Sequence, residues 1–173
     1  SDPKADTSVG FILAAQARGH VVEYCQQEDL FVKDGQGAAQ AQRVTVDVTA
    51  TPFYELGPRR SVTLSEYDTV WMRKDPPVDR AYLHATHILD LAGDTLVVNS
   101  PRGIRYANEK MCAQLFPALC PETLVTRDMG QIKAWLSERD EPLVVKPIDG
   151  HGGAGVTLSW GCADEVVSIA EGS

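Results

Sequence analysis

The sequence predicts an α/β fold: a mostly parallel sheet flanked by helices, followed by a second and smaller lobe. Three observations predict it. Apolar runs of strand length alternate with amphipathic stretches of helix length along the chain. Several predicted strands end in charged or glycine-rich loops, as in sheets whose crossovers lie on their faces. The composition, 173 residues with 43% hydrophobic and 23% charged side chains, is that of a folded chain long enough to bury a core without staples.

The first elements are read from caps and turns. Asp6-Thr7-Ser8 offers side-chain caps to a helix with apolar positions at Val9, Ile12, Leu13 and Ala17, stopped near Gly19. His20 to Cys25 reads as a strand. Asp34-Gly35 is a turn signal. Beyond it Ala38, Gln40, Gln42, Val44, Val46 and Val48 share one side of an alternating stretch. Residues 49–66 contain Pro52, Gly57 and Pro58 without a clear period and read as an irregular crossover.

Thr69 to Met72 is a buried-type strand, ended by Arg73-Lys74-Asp75-Pro76-Pro77, because the double proline continues neither strand nor helix. Residues 79–91 form a helix with Tyr82, Leu83, Ile88, Leu89 and Leu91 as its stripe. Thr95 to Val98 is a strand, and Ser100-Pro101 has the chemistry of a helix start. Asn108 to Phe116 reads as helical, closing at Pro117. Two prolines within Pro117–Pro121 mark the expected domain boundary, giving domains 1–120 and 121–173. In the second, Thr123 to Thr126 is a strand, and Asp128 caps a helix bearing Ile132, Trp135 and Leu136. The strand Leu143 to Lys146, a glycine loop and an alternating run Val156 to Trp160 follow, with a last helix over about Ala163 to Ala170.

Sixteen basic against 24 acidic residues give a formal charge of −8, which excludes a basic nucleic-acid footprint and argues against an anionic membrane surface. No apolar run approaches the roughly 18 residues that span a bilayer. Ser1-Asp2-Pro3-Lys4 lacks the layout of a signal peptide, so a cytoplasmic location is expected. The four cysteines (Cys25, Cys112, Cys120, Cys162) have no metal-binding spacing and are expected to be free thiols acting as small hydrophobes.

Chemistry is concentrated in Asp149-Gly150-His151-Gly152-Gly153-Ala154-Gly155, with four glycines in seven positions. Gly150, Gly152 and Gly155 satisfy G-x-G-x-x-G, yet the dinucleotide fingerprint needs a helix to start at the loop. The residues after Gly155 alternate with period two, so that reading fails. A Walker loop fails as well, because no Gly-Lys-Ser/Thr follows. What remains is a glycine flap between two strands, with Lys146 at the end of the first. Glycines let backbone N–H groups approach phosphate oxygens closely, and an ammonium emerging from an apolar strand is relieved by a ligand anion.

Lys146-Pro147-Ile148-Asp149-Gly150-His151-Gly152-Gly153 resembles a motif of the ATP-grasp carboxylate–amine ligases, and more narrowly of the prokaryotic glutathione synthetase family. Three further blocks resemble that family in the same order. They are Met72 to Pro77, Val98-Asn99-Ser100-Pro101 with Asn108-Glu109-Lys110, and Pro121 to Arg127. The resemblance covers nearly the whole chain. It implies a pre-ATP-grasp domain followed by an incomplete ATP-grasp lobe.

By that resemblance, Lys110 and Lys146 are the two lysines directed at ATP phosphates, and Gly150, His151, Gly152, Gly153, Ala154 and Gly155 form the flap over them. Arg73 and Asp75 lie on a loop facing the substrate cleft, with Arg73 a clamp for a substrate carboxylate. Ser8, beside Thr7, opens a helix whose positive end could meet an anion, although plain capping explains it equally well. His84 and His87 stand i, i+3 on a helix without a third metal ligand, and read as an ordinary histidine pair. The family carries a strand before the Asp-Pro dipeptide and extra residues after it. It also carries a second ATP-grasp lobe beyond Ser173, expected to hold the Mg²⁺ ligands, so this portion alone is expected to be inactive.

The implied reaction joins γ-glutamylcysteine and glycine at the expense of ATP through an acylphosphate. The implied partners are these small molecules and further copies of the chain in a homo-oligomer, with no nucleic acid and no membrane. Two rival readings remain: another ATP-grasp ligase, or a non-catalytic nucleotide-binding module. Phosphate release that needs both γ-glutamylcysteine and glycine discriminates the first reading from both.

Overall fold

The computed structural model describes residues 3, 5–75, 77–108, 110–139, 143–148 and 167–171, the last stretch by its backbone. The fold is α/β and divides into two compact units, Ser1–Lys74 with His84–Arg102, and Asp75–Leu83 with Gly103–Ser173.

In the first unit, helix α1 (Thr7–Ala17) is set by its ends. The Asp6 carboxylate accepts the main-chain N–H groups of Ser8 (2.7 Å) and Val9 (3.1 Å). At the other end Gly19 takes φ +79°, donating to Gln16 O while His20 N donates to Ala15 O. This paired closure needs a left-handed residue, which glycine supplies without a Cβ clash.

Strands β1 (Glu23–Tyr24), β2 (Leu30–Lys33) and β4 (Tyr54–Thr63) all pair antiparallel with the central β3 (Gln36–Val46). Asp34 (φ 51°) and Gly35 (φ 77°) make the tight β2–β3 turn, whose two positive φ angles match the strand twist. Strand β4 replaces the irregular crossover expected over 49–66. Its side chains are mostly exposed, so no apolar period marks it, and main-chain pairing to β3 holds it instead. Pro58 is accommodated because the register shifts there: Gly57 and Pro58 together lie opposite Arg43.

Successive residues of β3 point to opposite faces, and both faces are buried. Ala39 and Ala41 join Val62, Leu64, Leu89 and Ala92 in one core. Val44 and Val46 pack on the other face with Val9, Ile12 and Leu13 of α1. The even-numbered side predicted from the sequence is therefore only half of the buried surface. Leu89 belongs to α2 (Arg80–Leu89), which connects β5 (Thr69–Trp71) to β6 (Leu96–Val98). These two strands are parallel, with Val70 opposite Val97.

A charged lid lies across the small Ala41. Arg60, opposite Ala41 on β4, donates through Nε (2.9 Å) and Nη2 (2.8 Å) to the two carboxylate oxygens of Glu23, and the Tyr67 hydroxyl donates to the same carboxylate. The bond from Arg60 holds the Glu23 carboxyl below its usual range although burial opposes this. Burial, reinforced by Glu23, raises the Tyr67 phenol.

The second unit includes the end of α3 (Pro101–Tyr106), the strands β7 (Thr123–Thr126), β8 (Leu143–Pro147) and β9 (Val167–Glu171), and helix α4 (Met129–Ser137). Asp128 caps α4 by accepting from Gly130 N (2.7 Å) and Gln131 N (3.3 Å). Strand β9 lies between β7 and β8, antiparallel to both. Three expectations are corrected here. The mostly parallel sheet is confined, among the described residues, to β5–β6, because the other ladders are antiparallel. The helix expected over Ala163 to Ala170 is overturned at its described end by β9: pairing on both edges suits the β-branched Val167 and Ile169 better than a marginal helix.

The helix expected from Asn108 to Phe116 is one turn followed by the 3₁₀ segments Cys112–Leu115 and Pro117–Leu119. Pro117 bars Phe116 from the helical region (φ −127°, ψ 59°), which leaves too few residues for an α-helix. Cys25, Cys112 and Cys120 are free thiols as expected, and Cys162 lies outside the described residues. The strand expected over Val156 to Trp160 lies outside them too. No helix of the described residues is long and apolar enough to cross a membrane.

Candidate functional site

In the second unit the candidate site is built on the end of β8. Lys146 is the penultimate residue of that strand, half-buried and paired in register with Ser168 of β9. Alternation places its side chain on the face opposite Val145 and Pro147. Among the described residues it has no ion-pair partner.

Lys110 reaches the same strand end from a different stretch of chain. Asn108 shapes the turn that carries it, since its side-chain oxygen accepts Lys110 N (3.0 Å) and Met111 N (3.1 Å). The amide nitrogen of Asn108 then donates to Ile148 O (3.3 Å), and Lys110 Nζ donates to the same oxygen at 3.4 Å. Two donors from a polar turn thus converge on the carbonyl two residues beyond Lys146. Such a strand end can present positive charge to a polyanion. Gly150, His151, Gly152, Gly153, Ala154 and Gly155, predicted as the flap, lie outside the described residues.

In the first unit, Ser8 is half-buried in the opening turn of α1, its N–H engaged by Asp6. Arg73 is exposed on the chain leaving β5, and its guanidinium carbon lies 5.4 Å from the centroid of the Phe11 ring. Phe11 in turn contacts Trp71, with ring centroids 4.8 Å apart. Sequence reasoning missed both aromatics. The available signal was that Phe11 stands apart from the apolar stripe Val9, Ile12, Leu13.

Asp75 is exposed at the start of the second unit. His84 and His87 are exposed on α2, and no group of three or more His, Cys, Asp or Glu side chains that could hold a metal ion occurs among the described residues. The described groups include two lysines at one strand end and an arginine held against an aromatic ring.

Comparison with known proteins gives this arrangement a class. Residues 1–105 match the family model described as prokaryotic glutathione synthetase, N-terminal domain, and residues 109–172 match prokaryotic glutathione synthetase, ATP-grasp domain. The chain belongs to the prokaryotic glutathione synthetase family. It is 39% identical over 155 residues to a glutathione synthetase of Salmonella typhimurium, a stretch covering 88% of this chain and 49% of the relative. It is 40% identical over 155 residues to one from Vibrio vulnificus, covering 88% of this chain and 48% of that protein. The chain spans about half the length of the curated relatives it matches.

Proposed function

We propose that the full-length protein carries out ATP-dependent ligation of γ-glutamylcysteine and glycine to glutathione. The convergence of Asn108 and Lys110 on Ile148, beside Lys146, is the observation that carries this reading. It supplies charge at one strand end within the stretch that matches an ATP-grasp domain. In the proposed reaction a carboxylate oxygen of γ-glutamylcysteine attacks the γ-phosphorus of ATP. The bond to the β,γ-bridging oxygen breaks and ADP leaves. The amine of glycine then attacks the acyl carbon of the acylphosphate, releasing inorganic phosphate and a proton.

Lys110 and Lys146 neutralise phosphate charge, and the backbone N–H groups of the Gly150–Gly155 loop cradle the triphosphate, with His151 beside them. Arg73, Asp75 and Ser8 contact the dipeptide. In this reading the protein contributes positioning and charge neutralisation more than acid–base chemistry. Mg²⁺, which the family resemblance implies, finds no ligand set among the described residues, and none of these steps is routed through it. The proposed domain boundary falls at residues 120 and 121, just before β7. The cytoplasm and a homo-oligomeric assembly complete the proposal on the strength of the resemblance.

The test is phosphate release by the full-length protein with ATP, assayed with each acceptor alone and with both. Release that requires γ-glutamylcysteine and glycine together is expected. Equal release when either is omitted, or when other amino acids replace them, overturns the assignment.

A further inference from the structure

We propose that Phe11 and Trp71 form an aromatic platform that fixes the Arg73 guanidinium for a substrate carboxylate, which makes Phe11 a positioning residue for dipeptide binding. The proposal rests on the reading of Arg73 as the carboxylate clamp. It adds the two residues that give that clamp its direction.

The geometry begins with β5. Trp71 ends the strand, and Met72 N still donates to Val98 O at 2.7 Å, so the ladder extends beyond Trp71. Trp71 and Arg73 are two residues apart on this extended chain, and their side chains leave it on the same side. Phe11 meets both: its ring lies 4.8 Å from that of Trp71, tilted by 45°, and 5.4 Å from the Arg73 guanidinium carbon. Phe11 is also three residues beyond Ser8, on the same face of α1. One ring therefore ties the helix face bearing Ser8 to the chain bearing Arg73.

Burial does not account for the cluster. Phe11 is 43% exposed and Trp71 47% exposed, values far from those of the core residues. Arg73 is exposed, and among the described residues it has no ion-pair partner. An arginine on a flexible stem loses side-chain entropy when it binds a carboxylate in the two-bond geometry. Resting the guanidinium on an aromatic face removes part of that loss beforehand and leaves its N–H edge free to donate. A ring that holds the guanidinium carbon 5.4 Å from its centroid occupies one side of the cation and leaves the other sides open to a planar carboxylate.

The experiment uses the full-length protein and measures half-saturation for γ-glutamylcysteine and, separately, for ATP. Phe11→Leu keeps apolar bulk and removes the π face, whereas Phe11→Tyr keeps the face. The expected result is a two- to five-fold rise in the dipeptide constant for Phe11→Leu, the size of an exposed cation–π contact. ATP half-saturation is unchanged, and Phe11→Tyr stays near wild type. Adding Phe11→Leu to Arg73→Ala is expected to have no further effect, because the two residues act as one unit. Trp71→Leu serves as a second variant and is expected to move the dipeptide constant in the same direction. If Arg73→Ala weakens the dipeptide and Phe11→Leu does not, the platform is refuted while the clamp stands. If Arg73→Ala leaves the dipeptide constant unchanged, the clamp reading itself fails. Equal weakening of dipeptide and ATP by Phe11→Leu marks a purely structural role and also overturns the proposal.

Discussion

The ammonium of Lys110 donates to the main-chain oxygen of Ile148 across 3.4 Å, which ties one cation to the end of the strand that carries Lys146. The contact joins residues 38 apart in sequence, and Asn108 supports it with its own bond to the same oxygen. A carbonyl so engaged anchors the Lys110 side chain close to where Lys146 leaves β8.

Nucleotide affinity should depend on both lysines. Each charge-assisted bond to phosphate is worth about 1.5–3 kcal/mol, so Lys146→Ala and Lys110→Ala should each weaken ATP by about ten- to a hundred-fold or more. Asn108→Ala should weaken it less, since it loosens the turn and removes the bond to Ile148 O but takes away no cation. Calorimetry with a non-hydrolysable ATP analogue and the full-length protein reads all three. Unchanged affinity for Lys146→Ala would count against its phosphate role.

Leu64→Ala should destabilise the first unit by about 2–5 kcal/mol, the usual cost of emptying a core position. Leu64 is 2% exposed and packs with Ala39, Ala41, Val62, Leu89 and Ala92. Urea denaturation gives the value, and a change below about 1 kcal/mol would mean the site collapses to fill the space.

Gly37→Ala should also be destabilising, for a different reason. A Cβ on Gly37 would lie 2.6 Å from Ile88 O and 3.2 Å from Leu91 O, and both acceptors are main chain that cannot simply rotate away. Gly37 N donates to Leu91 O at 2.9 Å, so relief of the clash would stretch that bond. A loss of about 1–3 kcal/mol is expected, as for other overpacked sites, and a neutral outcome in thermal melts would show that the end of α2 and the chain after it are free to shift.

The Glu23–Arg60 pair predicts a pH dependence. Arg60 lowers the folded pKa of Glu23 below its ordinary value of 4.5. The unfolded chain therefore binds the proton more readily, and the stabilisation is complete above about that value and lost as pH falls through the lowered folded pKa. Glu23→Gln should accordingly lower the denaturation midpoint at neutral pH, and its difference from wild type should shrink as pH falls from neutral through the lowered folded pKa of Glu23. A constant difference across that range would show that packing rather than charge holds the lid over Ala41.

The local signals proved strong wherever a few neighbouring residues settle the geometry. Asp6 and Asp128 cap their helices, Asp34-Gly35 makes its hairpin, and Gly19 closes α1. Each depends on side-chain oxygens or permitted φ angles within a few residues, and these are written in the order of the chain. The lysine-and-glycine motif likewise pointed to the family that the comparisons with known proteins show.

Longer-range facts were not legible in that way. Strand β4 has almost no apolar period, and its existence depends on the free edge that β3 offers. Strand β9 reads locally as a helix end, but its backbone is paired on both sides by β7 and β8.

By itself the sequence determined the caps, the turns and the family. Tertiary structure alone decided which sheet face each valine enters, the antiparallel order of the ladders, and the meetings of Lys110 with Ile148 and of Phe11 with Arg73. The reason is physical. Capping and turn energies are settled among near neighbours, whereas pairing partners and side-chain meetings depend on which surfaces the folded chain brings together.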